Sequence, residues 1–271
     1  MNCNEKLPNK PARDTAAKKA PVKVDNDEKN IAEHFTQFLQ TEVAINNSLR
    51  KEVFRIRHNV YCEELAFEEV KEGGMEQDEF DAQSIFAMIK HKPSGTYTSC
   101  IRLVKSANAS ELLPIEKYCM EAIQNKELHP SNFPREEIAE LSRLALKAEF
   151  RRRKTDKFKG SAIGAIREST YSETEHRCFP FIAIGLYMAA ATMSIETGIK
   201  HCYVMMEPRL ARSMKFVGIN FVQLGDAIDY HGLRAPYYIN PGIFMESLSP
   251  GLTCLYKEIA KDISKQLSLV K

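Results

Sequence analysis

The chain has 271 residues, with 38 Lys+Arg against 36 Asp+Glu and a formal net charge of +2. Hydrophobic residues make up 44% and charged residues 27%, the balance of a globular domain that can bury a sizeable core. This excludes wholesale disorder, collagen and coiled coil, and the total charge does not suggest a strongly basic nucleic-acid binder.

Residues 1–29 hold Pro8, Pro11 and Pro21, no aromatic side chain, and seven basic against five acidic side chains. That composition predicts a disordered basic tail. Residues 30–271 are formally neutral and are expected to form a single domain. The N-terminus has no apolar core segment, so no secretory signal is expected there.

From Ile31 the pattern turns helical. Ile31, Phe35, Phe38 and Leu39 share one face, as do Ile45, Leu49, Val53, Ile56 and Val60, which predicts two amphipathic helices or one bent one. A polar stretch broken by Gly73-Gly74 follows. Ser84–His91 reads as a strand, Lys92-Pro93-Ser94-Gly95 as a turn, and Tyr97–Val104 as the return strand.

Pro114–Lys126 is expected as a helix and Ile138–Leu146 as a strand. Phe181–Thr197 is an apolar helix; the uncharged run Phe179–Ile195 is at the short limit for a membrane span, and a buried core helix is the reading taken. Next come a strand at His201–Met206 and a helix from Glu207-Pro208 to Gly218. Short strands are expected at Phe221–Leu224, Ile228–His231 and Tyr237–Ile239. Leu255, Ile259, Ile263 and Leu267 mark a last amphipathic helix. The order predicts an α/β (α+β) fold: a mixed, largely antiparallel sheet with helices on both faces.

The seven cysteines are widely spaced, with no CxxC pair. Reduced thiols of a cytoplasmic protein are the simpler reading, and no metal-ligand spacing is present among Cys and His. A Cys–His ping-pong mechanism through Cys178 or Cys202 rests only on adjacency in sequence.

The densest polar signal is Glu140-Leu141-Ser142-Arg143 inside a predicted strand. Alternation points Glu140 and Ser142 one way and Arg143 the other. A carboxylate beside a hydroxyl could take a proton from an attacking amine; an edge strand with solvated polar residues is the alternative. Arg102 lies in the apolar strand Ile101-Arg102-Leu103-Val104, and burying it demands a carboxylate, for which Asp78 or Asp81 are candidates.

Arg57, Tyr61, Phe67, Asp78, Asp81, Arg102, Glu140, Ser142 and Arg143 together resemble the signature of the acyl-homoserine-lactone synthases, over roughly residues 50–145. A closer resemblance is carried by VYCEELAFE, DEFDAQS, LSRLAL with FRRR, and MEPRLARSMKFVGINF with DYHGLRAPYY. These look like the PEP-CTERM/exosortase-associated acyltransferases, related to N-acyl amino acid synthases, over about residues 50–240. Two departures stand out. The lactone synthases usually carry Trp where this chain has Phe67, and Phe where it has Tyr61.

The resemblance implies a GNAT-like fold and a cytoplasmic N-acyltransferase. The fatty acyl group would pass from an acyl carrier protein thioester, or acyl-CoA, to a small amine, with an amino acid expected. No other cofactor, no metal, no nucleic acid and no stable membrane insertion are implied. Glu140, Ser142 and Arg143 take the catalytic positions; Arg57, Tyr61, Phe67, Asp78, Asp81 and Arg102 shape the acceptor site. One alternative is a lactone-type signal synthase using S-adenosylmethionine. The other is a non-catalytic GNAT-like protein that binds acyl carrier protein or lipid.

Between Lys147 and Lys159 there are seven Lys or Arg and two acids. Within this run Arg151, Arg152, Arg153 and Lys154 are expected to dock an acidic carrier protein; a solvated loop is the plain alternative. Lys157–Ala162 is a weak match to a pyrophosphate-binding loop. The Met- and Ala-rich helix after Pro180 could line an acyl tunnel or be plain core.

Overall fold

The computed structural model describes residues 25–151 and 181–269. Side chains are described for 31–150 and 181–269. The expectations on residues 1–24, on Lys157–Ala162, on Cys178 and on the side chains of Arg151, Arg152, Arg153 and Lys154 lie outside this description.

Eight strands make one sheet. They are β1 (Leu39–Val43), β2 (Ser84–His91), β3 (Tyr97–Lys105), β4 (Ile138–Leu146), β5 (His201–Met206), β6 (Val222–Gln223), β7 (Ile228–Asp229) and β8 (Leu233–Ile239). The order is β1-β2-β3-β4-β5-β8-β6, with β7 also on β8. Only β4 and β5 run parallel; the other pairs are antiparallel. This is the predicted mixed α/β fold with a largely antiparallel sheet, and helices cover both faces.

Alternation assigns the faces. Ala87, Ile89, Ile101, Leu103, Ala139, Leu141, Cys202, Val204 and Ile239 point to one core, under the helices Asp25–Phe38, Phe181–Glu196 and Pro250–Leu267. On the opposite face Phe86, Met88, Cys100 and Ala145 pack with Val53 and Ile56 of the helix Asn47–Arg57. Farther along, Val104, Ile138, Tyr203 and Tyr238 pack with Leu113 and Ile115. Arg102 and Glu140 occupy the gap between these two apolar clusters.

Several elements depart from the periodicity. The first two helices are separated by β1, because Leu39, Thr41 and Val43 alternate inward rather than continuing the helical face. This edge strand is capped by the last helix: Gln266 Oε1 accepts from Val43 N–H at 2.7 Å and its Nε2 donates to Thr41 O at 3.0 Å. The first helix starts at Asp25, inside the stretch expected as tail. The helix expected over Pro114–Lys126 stops at Tyr118, because Gln124 and Asn125 give their N–H groups to Leu224 O instead. The strand expected over Ile228–His231 ends at Asp229, where His231 (φ 50°) and Gly232 (φ 92°) turn the chain back. β8 begins at Leu233, earlier than the Tyr237 expected, and a helix at Pro241–Ser247 was not anticipated.

The helix Phe181–Glu196 is apolar all round, as a helix packed on every side must be. No helix among the described residues is long and apolar enough to cross a membrane. Its Gly185 sits where an added Cβ would lie 2.8 Å from the Phe35 ring and 3.1 Å from Ile89 Cδ1. Both neighbours are buried, so neither can swing away. Gly185→Ala should therefore destabilise by about 1–3 kcal/mol through overpacking, against the gain of about 1 kcal/mol that alanine brings to a helix interior. Urea denaturation measures the net sign, which is expected to be destabilising.

Candidate active site

The polar stretch before β2 is a helix start. Asp78 caps the 3-10 turn Glu79–Gln83: its Oδ1 accepts from Phe80 N–H at 3.0 Å, and Asp81 Oδ2 accepts from Asp78 N–H at 2.8 Å. The three-residue spacing of the two aspartates is thus a capping box. The remaining oxygens are left to face arginines.

Three arginines converge there. Arg57, at the end of its helix, is completely buried; its Nε donates to Glu76 and its Nη1 to Asp81 Oδ1 at 2.6 Å. Arg102 Nη1 donates to Asp78 Oδ1 at 2.5 Å and Asp81 Oδ1 at 2.8 Å, and its Nε donates to Ser142 Oγ at 3.1 Å. Arg143 Nη2 pairs with Glu68 at 3.1 Å, Asp78 at 3.2 Å and Glu76 at 3.3 Å. Burial raises the Asp78 carboxyl, but Arg102, then Arg57 and Arg143, outweigh it and hold the group below its ordinary value.

Strand alternation placed Arg143 on the face opposite Glu140, and the structure corrects this. Cys100 pairs with Ala145 and Arg102 with Ser142, so β4 carries one extra residue across from Ile101. Arg143 adopts φ 50° at this bulge. The bulge re-aims its side chain onto the face of Glu140 and Ser142. β4 is also central rather than an edge, lying between β3 and β5.

The helix Asn47–Arg57 runs on into a π-helix, His58–Glu64, a form that concentrates at functional sites. It turns Tyr61 inward. The Tyr61 hydroxyl donates to Leu144 O at 2.8 Å, Arg143 lies 5.5 Å from its ring centroid, and burial pushes its pKa up to about 12. Phe67 N–H then donates to Tyr61 O at 2.8 Å, which brings the Phe67 ring to the mouth of a cleft.

That cleft spans about 500 Å³ including its open mouth, with about 50 Å³ of space for water-sized groups, and is lined by Tyr61, Phe67, Arg102, Glu140, Ser142 and Arg143 from the expected set. Asp78, Asp81 and Arg57 lie behind the wall and hold the arginines. Glu68, Met205, Tyr230, His231 and Arg234 also line it; none was singled out in the sequence. Arg234 stood in the motif DYHGLRAPYY without an assigned role, and Glu76 was hidden in an acidic stretch.

Glu140 is 3% exposed, and its Oε2 accepts from Ile115 N–H at 2.6 Å. Burial raises its pKa to about 8; the Ile115 hydrogen bond and Arg102 pull the other way without cancelling it. β4 and β5 pair only from Ile138↔His201 to Leu141↔Val204, although β4 runs on to Leu146. The strands therefore part after Leu141, one residue beyond Glu140. On the other face, Leu141, Tyr187, Phe221, Ile239 and Phe244 line a narrow apolar pocket with about 30 Å³ of space for water-sized groups.

Cys202 is buried, its thiol pushed up to about 11, and its polar contact is Ser194 rather than a histidine; a thiolate nucleophile does not fit it. Among the described residues no group of three or more His, Cys, Asp or Glu side chains is placed to hold a metal ion.

A family model described as Acetyltransferase (GNAT) domain matches residues 56–160. No curated protein sequence matches the chain. Among solved structures, TofI in a ternary complex with an inhibitor and MTA shares 16% identity at a TM-score of 0.55, covering 79% of this chain and 99% of its own. The AHL synthase LasI gives 14% and 0.52, covering 78% and 96%. BjaI, a CoA-dependent acyl-homoserine lactone synthase solved with SAM and isopentyl-CoA, gives 15% and 0.53, covering 86% and 99%. At these identities the likeness is one of fold. The acetyltransferase (GNAT) match covers residues 56–160, and acyl transfer is the class of chemistry it supports.

Two predictions follow from the geometry. Asp81→Asn removes a carboxylate shared by Arg57 and Arg102 and weakens the capping box. Breaking a buried pair from one side costs about 3–5 kcal/mol, so a loss of that order is expected in chemical denaturation. Glu140 in the folded state keeps a proton that an unfolded glutamate releases near pH 4.3. Its contribution to stability is therefore fully present at low pH and is lost between about pH 4.3 and its folded pKa of about 8, with a slope of about 1.4 kcal/mol per pH unit. Glu140→Gln should remove that slope from the pH dependence of unfolding free energy.

Proposed function

We propose that the protein transfers a fatty acyl group from an acyl carrier protein thioester to the amine of a small amino acid-like acceptor. The acceptor binds in the cleft of Glu140, Ser142 and Arg143. The observation that carries this reading is the buried Glu140 carboxylate with a pKa of about 8, beside the gap between β4 and β5.

An amine attacks a thioester only when neutral, so a proton acceptor matched to an ammonium group is required. Glu140 has that match. The nitrogen forms a bond to the acyl carbon, Glu140 takes the proton that the nitrogen loses, and the carbon–sulfur bond breaks as Glu140 passes that proton to the leaving thiolate. Ser142, held by Arg102, orients the amine. Main-chain N–H groups exposed where the strands part would stabilise the oxyanion, each worth about 3 kcal/mol.

Consecutive residues of β4 face opposite sides of the sheet. The acceptor cleft at Glu140 and the apolar pocket at Leu141 thus lie back to back. The thioester carbonyl would sit between them, with the acyl chain toward the apolar pocket. The carrier protein as donor is supported by the basic run Lys147–Lys159. The network of Arg57, Asp78, Asp81 and Arg102 fixes the cleft wall, and Tyr61 and Phe67 close its mouth.

The test is thiol release from long-chain acyl carrier protein and from acyl-CoA, with amino acids, with S-adenosylmethionine and without acceptor, products being identified by mass spectrometry. An N-acyl amino acid is expected; a lactone product, or no release from either thioester, overturns the reading. Glu140→Gln should lower kcat/KM by about 10²–10⁴-fold. In the wild type, kcat/KM should rise with pH and level off above the Glu140 pKa of about 8.

A further inference from the structure

The cleft contains three guanidinium groups, and two already have carboxylate partners, although Arg143 Nε, like Arg234 Nε, is buried without a hydrogen bond. Arg102 is held by Asp78, Asp81 and Ser142, and Arg143 by Glu68, Glu76 and Asp78. Arg234 is different. Among the described residues it makes no hydrogen bond or ion pair, and its Nε is buried without a partner. Glu68, a carboxylate on the same wall, is engaged by Arg143.

The group is nevertheless positioned. Arg234 pairs with Ile228 across β7 and β8, directly after the tight turn at His231 and Gly232. Its guanidinium carbon lies 5.9 Å from the Phe67 ring centroid, and Phe67 also packs against His231 at 6.4 Å. Contact with an aromatic ring holds a guanidinium while leaving N–H donors free for a planar bidentate acceptor. A partly desolvated cation without a counter-ion is costly, and a carboxylate supplied by a ligand relieves that cost.

We propose that Arg234, braced by Phe67, is the carboxylate anchor of the acceptor site, so that the acceptor is an amine bearing a free carboxylate. This rests on the acyl-acceptor reading of the cleft and narrows it: neutral amines and amino acid amides are discriminated against. The carboxylate could belong to a free amino acid or to S-adenosylmethionine, which share this chemistry.

The experiment measures binding and turnover separately. The twenty common amino acids, their carboxamides and S-adenosylmethionine are titrated against the full chain by ligand-observed NMR. The same compounds are then assayed as acceptors with acyl carrier protein thioesters. Wild type is expected to prefer carboxylate over carboxamide at least 10-fold in affinity and in kcat/KM. Arg234→Gln should reduce that preference at least 10-fold, and Arg234→Lys, which keeps the charge but not the fork, should fall between them. The strongest binder names the source of the carboxylate. Equal binding of acid and amide by wild type, or an unchanged preference in a folded Arg234→Gln protein, overturns the proposal. Carboxylate-selective binding lost in Arg234→Gln, without acyl transfer to any acceptor, supports the anchor and defeats the acyltransfer reading instead.

Discussion

The site depends on one buried charge network. Arg57, Arg102 and Arg143 are tied to Glu68, Glu76, Asp78 and Asp81 between two apolar clusters on one face of the sheet. Taking these charges out of water is expensive, and their mutual attraction serves position as much as stability. The seven ions come from five elements: a helix end, a 3-10 turn, two central strands and a loop. Moving any one of them breaks a pair elsewhere.

Glu140 gains its chemistry from standing just outside that network. It is close enough for Arg102 to lower its pKa, yet among the described residues it has no ion pair, and burial wins. A glutamate fully paired with arginine would stay ionised and be a weak base. The same separation of roles distinguishes the arginines. Those in the network build the wall, and Arg234, outside it, keeps its hydrogen-bonding capacity for a ligand.

The bulge at Arg143 shows how a small backbone event reshapes a site. One extra residue in β4 shifts the alternation, so Ala145 returns to the face of Ser142 and Arg143 is turned into the cleft. The parting of β4 from β5 follows from the same region. Parallel pairing is kept for four rungs and then lost where β4 bends. An acceptor cleft on one face and an apolar pocket on the other can therefore meet beside Glu140.

The strong strands were legible because their signal is local. Ser84–His91, Ile138–Leu146 and His201–Met206 have apolar or alternating runs bounded by turns, and the apolar helix has its Gly198 stop. The demand of Arg102 for Asp78 or Asp81 could also be argued from sequence, since a buried arginine needs a carboxylate. The face of Arg143, the pairing of Glu76, the central position of β4 and the solitary Arg234 could not. They depend on a bulge, on register and on which carboxylates are already taken. Those are outcomes of packing segments far apart in the chain, and they leave no periodicity behind. The sequence by itself determined which residues could do acyl-transfer chemistry; only the tertiary structure decided which are neutralised by neighbours and which remain available, because a side chain's charge is set by its surroundings.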